Sequence, residues 1–280
     1  MKKKPSLTNL IRKTKSIKQP RSINIRKLGI VSHDYRRKEQ NGYRDFSHTL
    51  KKVLMYLDGE DCDSVLFSLF TIVKRNDFKA KSALRGLQNI KTVFIEEFLD
   101  GSEREAIRYV VYYKDDGKWQ EYGLTQKFGT VAYTKMFAKK VIEPFVAEVN
   151  KQRILGNCTV LLCGETNIVK YSKATGNIED KHGILNEIPN KVKVILNPIH
   201  DRMTRFEMKL KRKYLSERNR WVVSAWNKGK EDKNGKVKDG VRPAWTVFHN
   251  GSEVLIEKIG SSFIQSQSNI EIGILDITNM

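Results

Sequence analysis

The sequence has few of the residues that crosslink small secreted proteins or anchor membrane proteins. Its 280 residues include 3 cysteines and 6 prolines. Cys62, Cys158 and Cys163 form no CxxC pair, so neither a disulfide scaffold nor a structural zinc site is expected. No apolar run approaches the roughly 20 residues that span a bilayer. We therefore expect a soluble, cytoplasmic protein with no metal, cofactor or membrane partner.

The motifs that bind nucleotide phosphates are missing too. Neither GxxxxGK[ST] nor GxGxxG occurs in the chain, which excludes nucleotide hydrolysis by a P-loop enzyme. A metal-dependent nuclease is an alternative, because His200-Asp201 can bind a metal or transfer protons. The carboxylates near predicted strands that can hold Mg²⁺ are Glu96, Glu97, Asp115 and Asp116. However, Glu121 and Lys127 lack the acid and Glu-x-Lys spacing of a sheet-edge nuclease.

Acidic residues are scarce relative to basic ones. The chain has 52 Lys and Arg against 32 Asp and Glu, a net charge of +20. Residues 1–27 hold ten basic residues and no acid, and Pro5 and Pro20 disfavour a helix there. We predict a basic, extended arm over residues 1–24 that can lie along nucleic acid or serve as an unspecific tail.

A second basic segment is Arg202–Arg220, with eight basic and two acidic residues. Its apolar stripe of Met203, Phe206, Leu210 and Tyr214 predicts a helix. The basic residues off this stripe are predicted to be exposed and are candidates for phosphate binding. They are Lys209, Lys211, Arg212 and Lys213.

The rest of the chain, residues 25–280, alternates strand and helix patterns and is predicted to form one α/β domain. Near-continuous apolar runs such as Ser64–Val73 predict buried strands. Asp116-Gly117 and Asn250-Gly251 predict hairpin turns, because these residues tolerate positive φ. Together, strand–helix–strand units and hairpins favour a mixed sheet or two packed sheets covered by helices.

Cys163 is the main candidate for a nucleophile. It ends the buried strand Cys158–Cys163 and is followed by Gly164, which allows a sharp exit from the strand. Reactive groups gather beyond the carboxyl ends of strands in open α/β sheets, where a cation or base can activate a thiol. A cysteine on an apolar strand can equally be a small core residue.

The order of these segments resembles the carbon–nitrogen hydrolase (nitrilase) superfamily over roughly Ala106–Ile259. In that family a strand ends in a nucleophilic Cys followed by a short residue and an acid, as in Cys163-Gly164-Glu165. The later parts of the resemblance are Val194–Pro198, Tyr214–Arg220, Val222–Asn227, Gly229 and the hairpin Trp245–Ile259. The resemblance implies a nitrilase-like two-sheet sandwich with outer helices and catalysis by a Glu, a Lys and the Cys.

The catalytic Lys and Glu of the family have no unique match in this sequence. Lys127 is the match for the lysine that holds the thiolate and oxyanion, with Lys135 as the alternative. The family's Glu closes the second strand, but Phe67–Phe70 contains no acid. Glu97, or its neighbour Glu96, is the expected substitute.

The sequence thus predicts a divergent amide hydrolase that works through a Cys163 thioester, or a scaffold that has lost this chemistry. The alternative is a basic nucleic-acid-binding protein or nuclease. The expected partner is accordingly a small amide-type substrate or nucleic acid. A homo-oligomer is a further arrangement that the sequence leaves open.

Overall fold

The structure is a computed structural model. It describes residues 19–34, 46–69, 71–74, 80–99, 108–129, 138–200, 205–229, 234, 236–237, 242–259 and 270–278. Two packed β-sheets form the centre of this described part of the chain. None of the described helices is long and apolar enough to span a bilayer.

The first sheet is mixed and contains both the earliest and the last described strands. Its strands are β1 (Lys27–His33), β2 (Ser64–Phe67), β3 (Ile72–Lys74), β4 (Thr92–Leu99), β5 (Arg108–Asp115), β6 (Lys118–Leu124) and β14 (Ile270–Asp276). The strand order is β14-β1-β2-β4-β5-β6, and β3 also pairs with β4. β1, β2 and β4 run parallel, so their carboxyl ends lie at one rim of the sheet.

The second sheet contains the strands on either side of the predicted nucleophile. Its strands are β7 (Cys158–Val160), β10 (Val194–Pro198), β11 (Trp221–Ala225), β12 (Trp245–His249) and β13 (Ser252–Val254). The strand order is β13-β12-β11-β10-β7, with β7, β10 and β11 parallel. A separate small hairpin consists of β8 (Lys170–Tyr171) and β9 (Ile178–Glu179).

Helices cover the outer face of each sheet. They are α1 (Ser47–Gly59), α2 (Ala80–Ala83), α3 (Glu143–Gln152, preceded by a π-helical turn at Ala138–Ile142), α4 (Ile184–Glu187) and α5 (Phe206–Leu215). Alternate residues of each strand face opposite sides. Leu196 of β10 therefore enters the core between the sheets, whereas Ile195 packs under α3 and α5. The predicted two-sheet sandwich with outer helices is confirmed.

Asn227, just after β11, joins the two sheets at the rim. Its side-chain oxygen accepts hydrogen bonds from the backbone N–H of His33 and from the Ser68 hydroxyl, and its amide donates to Leu69 O. The carboxyl ends of β1, β2 and β11 therefore meet at the same rim. The predicted strand Ser64–Val73 is split into β2 and β3 here, because the backbone between them turns to bind Asn227.

The predicted elements differ from the structure mainly at their ends. The turns at Asp116-Gly117 and Asn250-Gly251 are confirmed, with all four φ values between 44° and 81°. α2, between β3 and β4, has four residues in the described part of the chain. β14 was not predicted, and it covers the edge of β1 as an antiparallel neighbour.

Residues 1–18 of the predicted basic arm lie outside the described residues. Its last residues pack onto the domain. The Gln19 amide donates to Ile154 O, and Ile23 O accepts a hydrogen bond of 2.9 Å from Asn157 N. Ile23 is 5% exposed and joins the core between the sheets. The folded domain therefore begins before residue 25.

Candidate active site

Cys163 lies in a tight turn directly beyond the carboxyl end of the second sheet. After β7 the chain continues through Leu161 and Leu162, and a 3₁₀ helix begins at Cys163 and ends at Ile168. The φ of Cys163 is +29°, a conformation that residues with side chains rarely adopt and that is typical of functional sites. Cys163 is partly exposed, unlike the buried Cys62 and Cys158.

The buried side chain of Glu165 holds this turn in place. Its carboxylate is fully buried and accepts hydrogen bonds of 2.8 Å from the backbone N–H of both Leu162 and Lys127. Arg153, at the end of α3, donates to the same carboxylate at 2.6 Å. Burial raises the pKa of Glu165, and the Arg153 charge and the two N–H groups oppose this rise. Glu165 is thus saturated with structural contacts, as expected of an acid that is not the catalytic base.

Gly164 leaves no room for a larger residue in the turn. A Cβ at this position would lie 2.1 Å from Gly129 O and 2.4 Å from Gly129 Cα. Because both atoms belong to the backbone, the turn and the 125–129 segment must lie in direct contact.

Replacing Gly164 with Ala should therefore displace the Cys163 turn and lower the free energy of unfolding by about 1–3 kcal/mol, the usual cost of overpacking. Urea denaturation measures this loss. Gly59→Ala at the end of α1 is the matched control, since a Cβ there meets nothing within 4 Å. Equal stability of the two variants would contradict the tight packing of Gly164.

His200 and Glu96 form a pair beside Cys163. His200 follows β10, and its Nε2 lies 3.6 Å from Oε2 of Glu96 on β4. The Glu96 side chain is 1% exposed and that of His200 is 19% exposed. The Cys163 side chain is near enough to interact electrostatically with the His200 ring. The two sheets thus bring a thiol, an imidazole and a carboxylate together in one place.

The charge balance of His200 reflects these neighbours. Burial is the largest single influence and lowers its pKa. The hydrogen bonds and negative charges of Cys163 and Glu96 outweigh burial and raise the pKa of His200 to about 9. The imidazolium form of His200 is therefore favoured at neutral pH.

The other two predicted catalytic residues, Glu97 and Lys127, differ in their surroundings. Glu97 is next to Glu96 on β4 and therefore faces the opposite side of the sheet, where the Tyr112 hydroxyl donates to it. This places it among the outer residues of the first sheet and away from Cys163. The Lys127 side chain is exposed to solvent, and its backbone N–H contacts Glu165. The alternative lysine, Lys135, lies outside the described residues.

The basic residues of α5 are not all at the surface. The prediction that the four would be exposed is wrong for Lys211 and Arg212, which are 3% and 0% exposed. Phe206, predicted to be buried, is 67% exposed. The helix is therefore rotated relative to the stripe that its apolar residues suggested. Lys213 is exposed, and Lys209 Nζ lies 2.7 Å from the Glu253 carboxylate. A nucleic-acid surface on this helix stays a prediction.

Lys211 connects α5 to the Cys163 turn. Its Nζ donates to Asn167 Oδ1 at 2.8 Å, and Asn167 Nδ2 donates to Gly129 O at 2.6 Å. Burial lowers the pKa of Lys211 to about 8. The sequence gives no signal for this role, because a lysine in a charged helix is usually solvated.

In the described part of the chain, no cluster of three or more His, Cys, Asp or Glu side chains is placed to hold an ion. Asp201 of the predicted His200-Asp201 pair lies outside the described residues. The described atoms instead place His200 beside a thiol and a carboxylate, an arrangement suited to proton transfer.

The fold and the site together define a two-sheet α/β protein with a cysteine at the carboxyl end of the second sheet. No family model matches the chain, and no curated protein matches it. Solved structures with a similar fold include XC1258 from Xanthomonas campestris, a CN-hydrolase superfamily protein. It is 11% identical, with 83% of this chain and 86% of that chain covered and a TM-score of 0.44.

Two further structures cover similar shares of this chain. A carbon–nitrogen hydrolase from Helicobacter pylori G27 is 10% identical, covers 90% of this chain and 89% of its own, and has a TM-score of 0.47. A glutamine-dependent NAD(+) synthetase from Cytophaga hutchinsonii is also 10% identical with a TM-score of 0.47, and the match covers 92% of this chain but 44% of the synthetase.

Proposed function

We propose that the protein is a cysteine hydrolase of amide-type C–N bonds in which His200, oriented by Glu96, transfers protons for Cys163. The observation that carries this proposal is the position of His200 between a buried carboxylate and a partly exposed thiol. Thiols are activated for acyl transfer by an adjacent base that a third group orients. The stretch Phe67–Phe70, which the resemblance matches to the family's Glu, contains no acid.

The reaction would run through a thioester. The Cys163 thiolate attacks the carbonyl carbon of the amide, and the C–N bond breaks as His200 gives its proton to the leaving amine. Water then adds to the thioester carbon while neutral His200 takes a proton from it. The C–S bond breaks, the carboxylic acid leaves, and the Cys163–His200 pair is restored.

The reactivity of the three cysteines tests the nucleophile. Cys62 and Cys158 are buried, and burial raises the pKa of both thiols, that of Cys62 to about 12. Cys163 should therefore be alkylated by iodoacetamide far faster than either of them at pH 7. Peptide mapping by mass spectrometry measures all three rates in one sample. Labelling of Cys163 no faster than that of Cys62 and Cys158 would overturn the proposal.

Activity is tested with a panel of small primary and secondary amides. Hydroxylamine added during turnover should trap an acyl-enzyme as a hydroxamate, and intact mass should show an acyl adduct on Cys163. Cys163→Ser is the matched variant, because it keeps the size of the side chain and weakens the nucleophile.

The titration of His200 gives a test that needs no substrate. NMR of the imidazole between pH 5.5 and 10.5 should show a midpoint near 9, because Cys163 and Glu96 favour the charged ring. Glu96→Gln removes a full negative charge and should shift the midpoint toward the ordinary value of about 6.5. His249, whose pKa is lowered by burial, is the last residue of β12 and serves as the control. A His200 midpoint unchanged by Glu96→Gln would mean that Glu96 does not orient the ring.

A further inference from the structure

Arg212 is a fully buried cation near the Cys163 turn. It lies in the last turn of α5 and is 0% exposed. Transfer of a charge from water into a protein interior is costly unless other groups compensate it. The contacts of this guanidinium therefore indicate what retains it there.

In the described part of the chain, the hydrogen bonds of Arg212 all go to neutral oxygen or sulfur atoms. Nη2 donates to Asn197 Oδ1 at 2.7 Å, Nε donates to Ser224 Oγ at 3.1 Å, and Nη1 donates to Met208 O at 3.0 Å. Asn197 and Ser224 lie near the carboxyl ends of β10 and β11. The side chain is thus held rigidly at the rim of the second sheet without a carboxylate among the described residues.

Cys163 lies close to this guanidinium. Arg212 Nη1 is 3.8 Å from Met208 Sδ, and Met208 packs with Cys163 on the same small cluster of Ile199, Trp226 and Ala244. Burial lowers the pKa of Arg212 to about 10, and the charge of a Cys163 thiolate acts in the opposite direction. Among the described residues, a thiolate at Cys163 would therefore place a negative charge near Arg212.

We propose that Arg212 is a positioning residue for catalysis whose fixed, buried positive charge stabilises the thiolate of Cys163 and the oxyanion that forms on the attacked carbonyl. This rests on the proposed function, since it gives Cys163 the role of nucleophile. Arg212 on α5 would then have the role that the family resemblance gave to Lys127, which is to hold the thiolate and the oxyanion. Of the other charged groups around the sulfur, His200 adds a second positive charge and Glu96 acts behind His200.

The test is the pH dependence of Cys163 alkylation by iodoacetamide. Arg212→Gln removes the charge and keeps a polar side chain, so the rate at pH 6.5 should fall by about tenfold or more, the effect of one pH unit in thiolate formation. Above pH of about 9.5 a thiol is ionised without help, so the difference should disappear there. A purely structural defect would instead lower the rate at every pH.

Two variants provide matched controls. Arg212→Lys keeps the charge and should retain the pH 6.5 rate within about threefold. Arg220→Gln removes another fully buried arginine, which donates to Ile188 O and lies before β11, at the end of the strand away from Cys163. It should leave the alkylation rate unchanged. Equal rates for wild type and Arg212→Gln at pH 6.5 would overturn the inference.

A second measurement applies even where Arg212→Gln does not fold. In His200→Gln, Arg212 is the cation that remains beside the sulfur, so the anionic reagent iodoacetate should still be favoured relative to iodoacetamide. The reference is the rate ratio of the same protein unfolded in urea. Identical ratios in the folded and unfolded protein would overturn the role of Arg212. Failure of the proposed function is a distinct outcome, in which Cys163 of the wild type shows no preferential labelling at all.

Discussion

Replacing His200 with Gln is expected to lower amide hydrolysis by about 10²–10⁴-fold, the usual contribution of a general acid and base. Without the imidazole the leaving amine receives no proton, and no group activates water against the thioester. The alkylation rate of Cys163 at pH 7 should fall as well, because one of the two cations beside the sulfur is lost. Steady-state kinetics on the best amide of the panel and peptide mapping measure the two effects.

His249→Gln is the control for this change. His249 lies at the end of β12, stacked on Trp221 at a ring distance of 4.2 Å, and is remote from the turn. Its replacement should leave both rates unchanged. If His200→Gln retained full hydrolysis while Cys163→Ser was inactive, another residue would have to be the base.

Replacing Arg153 with Met is expected to destabilise the fold by about 3–5 kcal/mol, the usual cost of removing one partner of a buried ion pair. The side chains of Arg153 and Glu165 are 1% and 0% exposed, so the carboxylate would remain buried without its counter-charge. The turn that holds Cys163 would lose its anchor at the same time. Urea denaturation followed by circular dichroism measures the loss.

The double variant Arg153→Met, Glu165→Gln distinguishes the stability lost through the unpaired charge from the stability lost through packing. It removes the charge of both partners, so it should recover part of the stability lost in the single variant. Lys181→Met, which breaks an exposed pair with Glu179, is the surface control and should change stability little. A single Arg153→Met variant as stable as Lys181→Met would show that this pair does not hold the turn.

Local chemistry made much of the fold predictable from the sequence. The apolar runs give the central strands, since a strand buried on both faces must be apolar throughout. Asp-Gly and Asn-Gly give the two hairpin turns, because these residues accept positive φ. The Cys163-Gly164 step also follows from local rules, as a glycine after a buried strand allows a sharp turn. These features depend on neighbours in the chain, so the sequence alone determined them.

Contacts between distant segments decided the rest. Glu96 and Glu97 are indistinguishable in the sequence, but the alternation of side chains along β4 turns Glu96 toward the other sheet and Glu97 away from it. Arg212 looks like a surface residue of a basic helix, and only the packing of α5 against β10 and β11 buries it. The parallel strands of both sheets end at one rim, which brings Cys163, His200 and Glu96 together although 104 positions separate Glu96 from His200. Sheet packing sets these positions, and no local pattern encodes them.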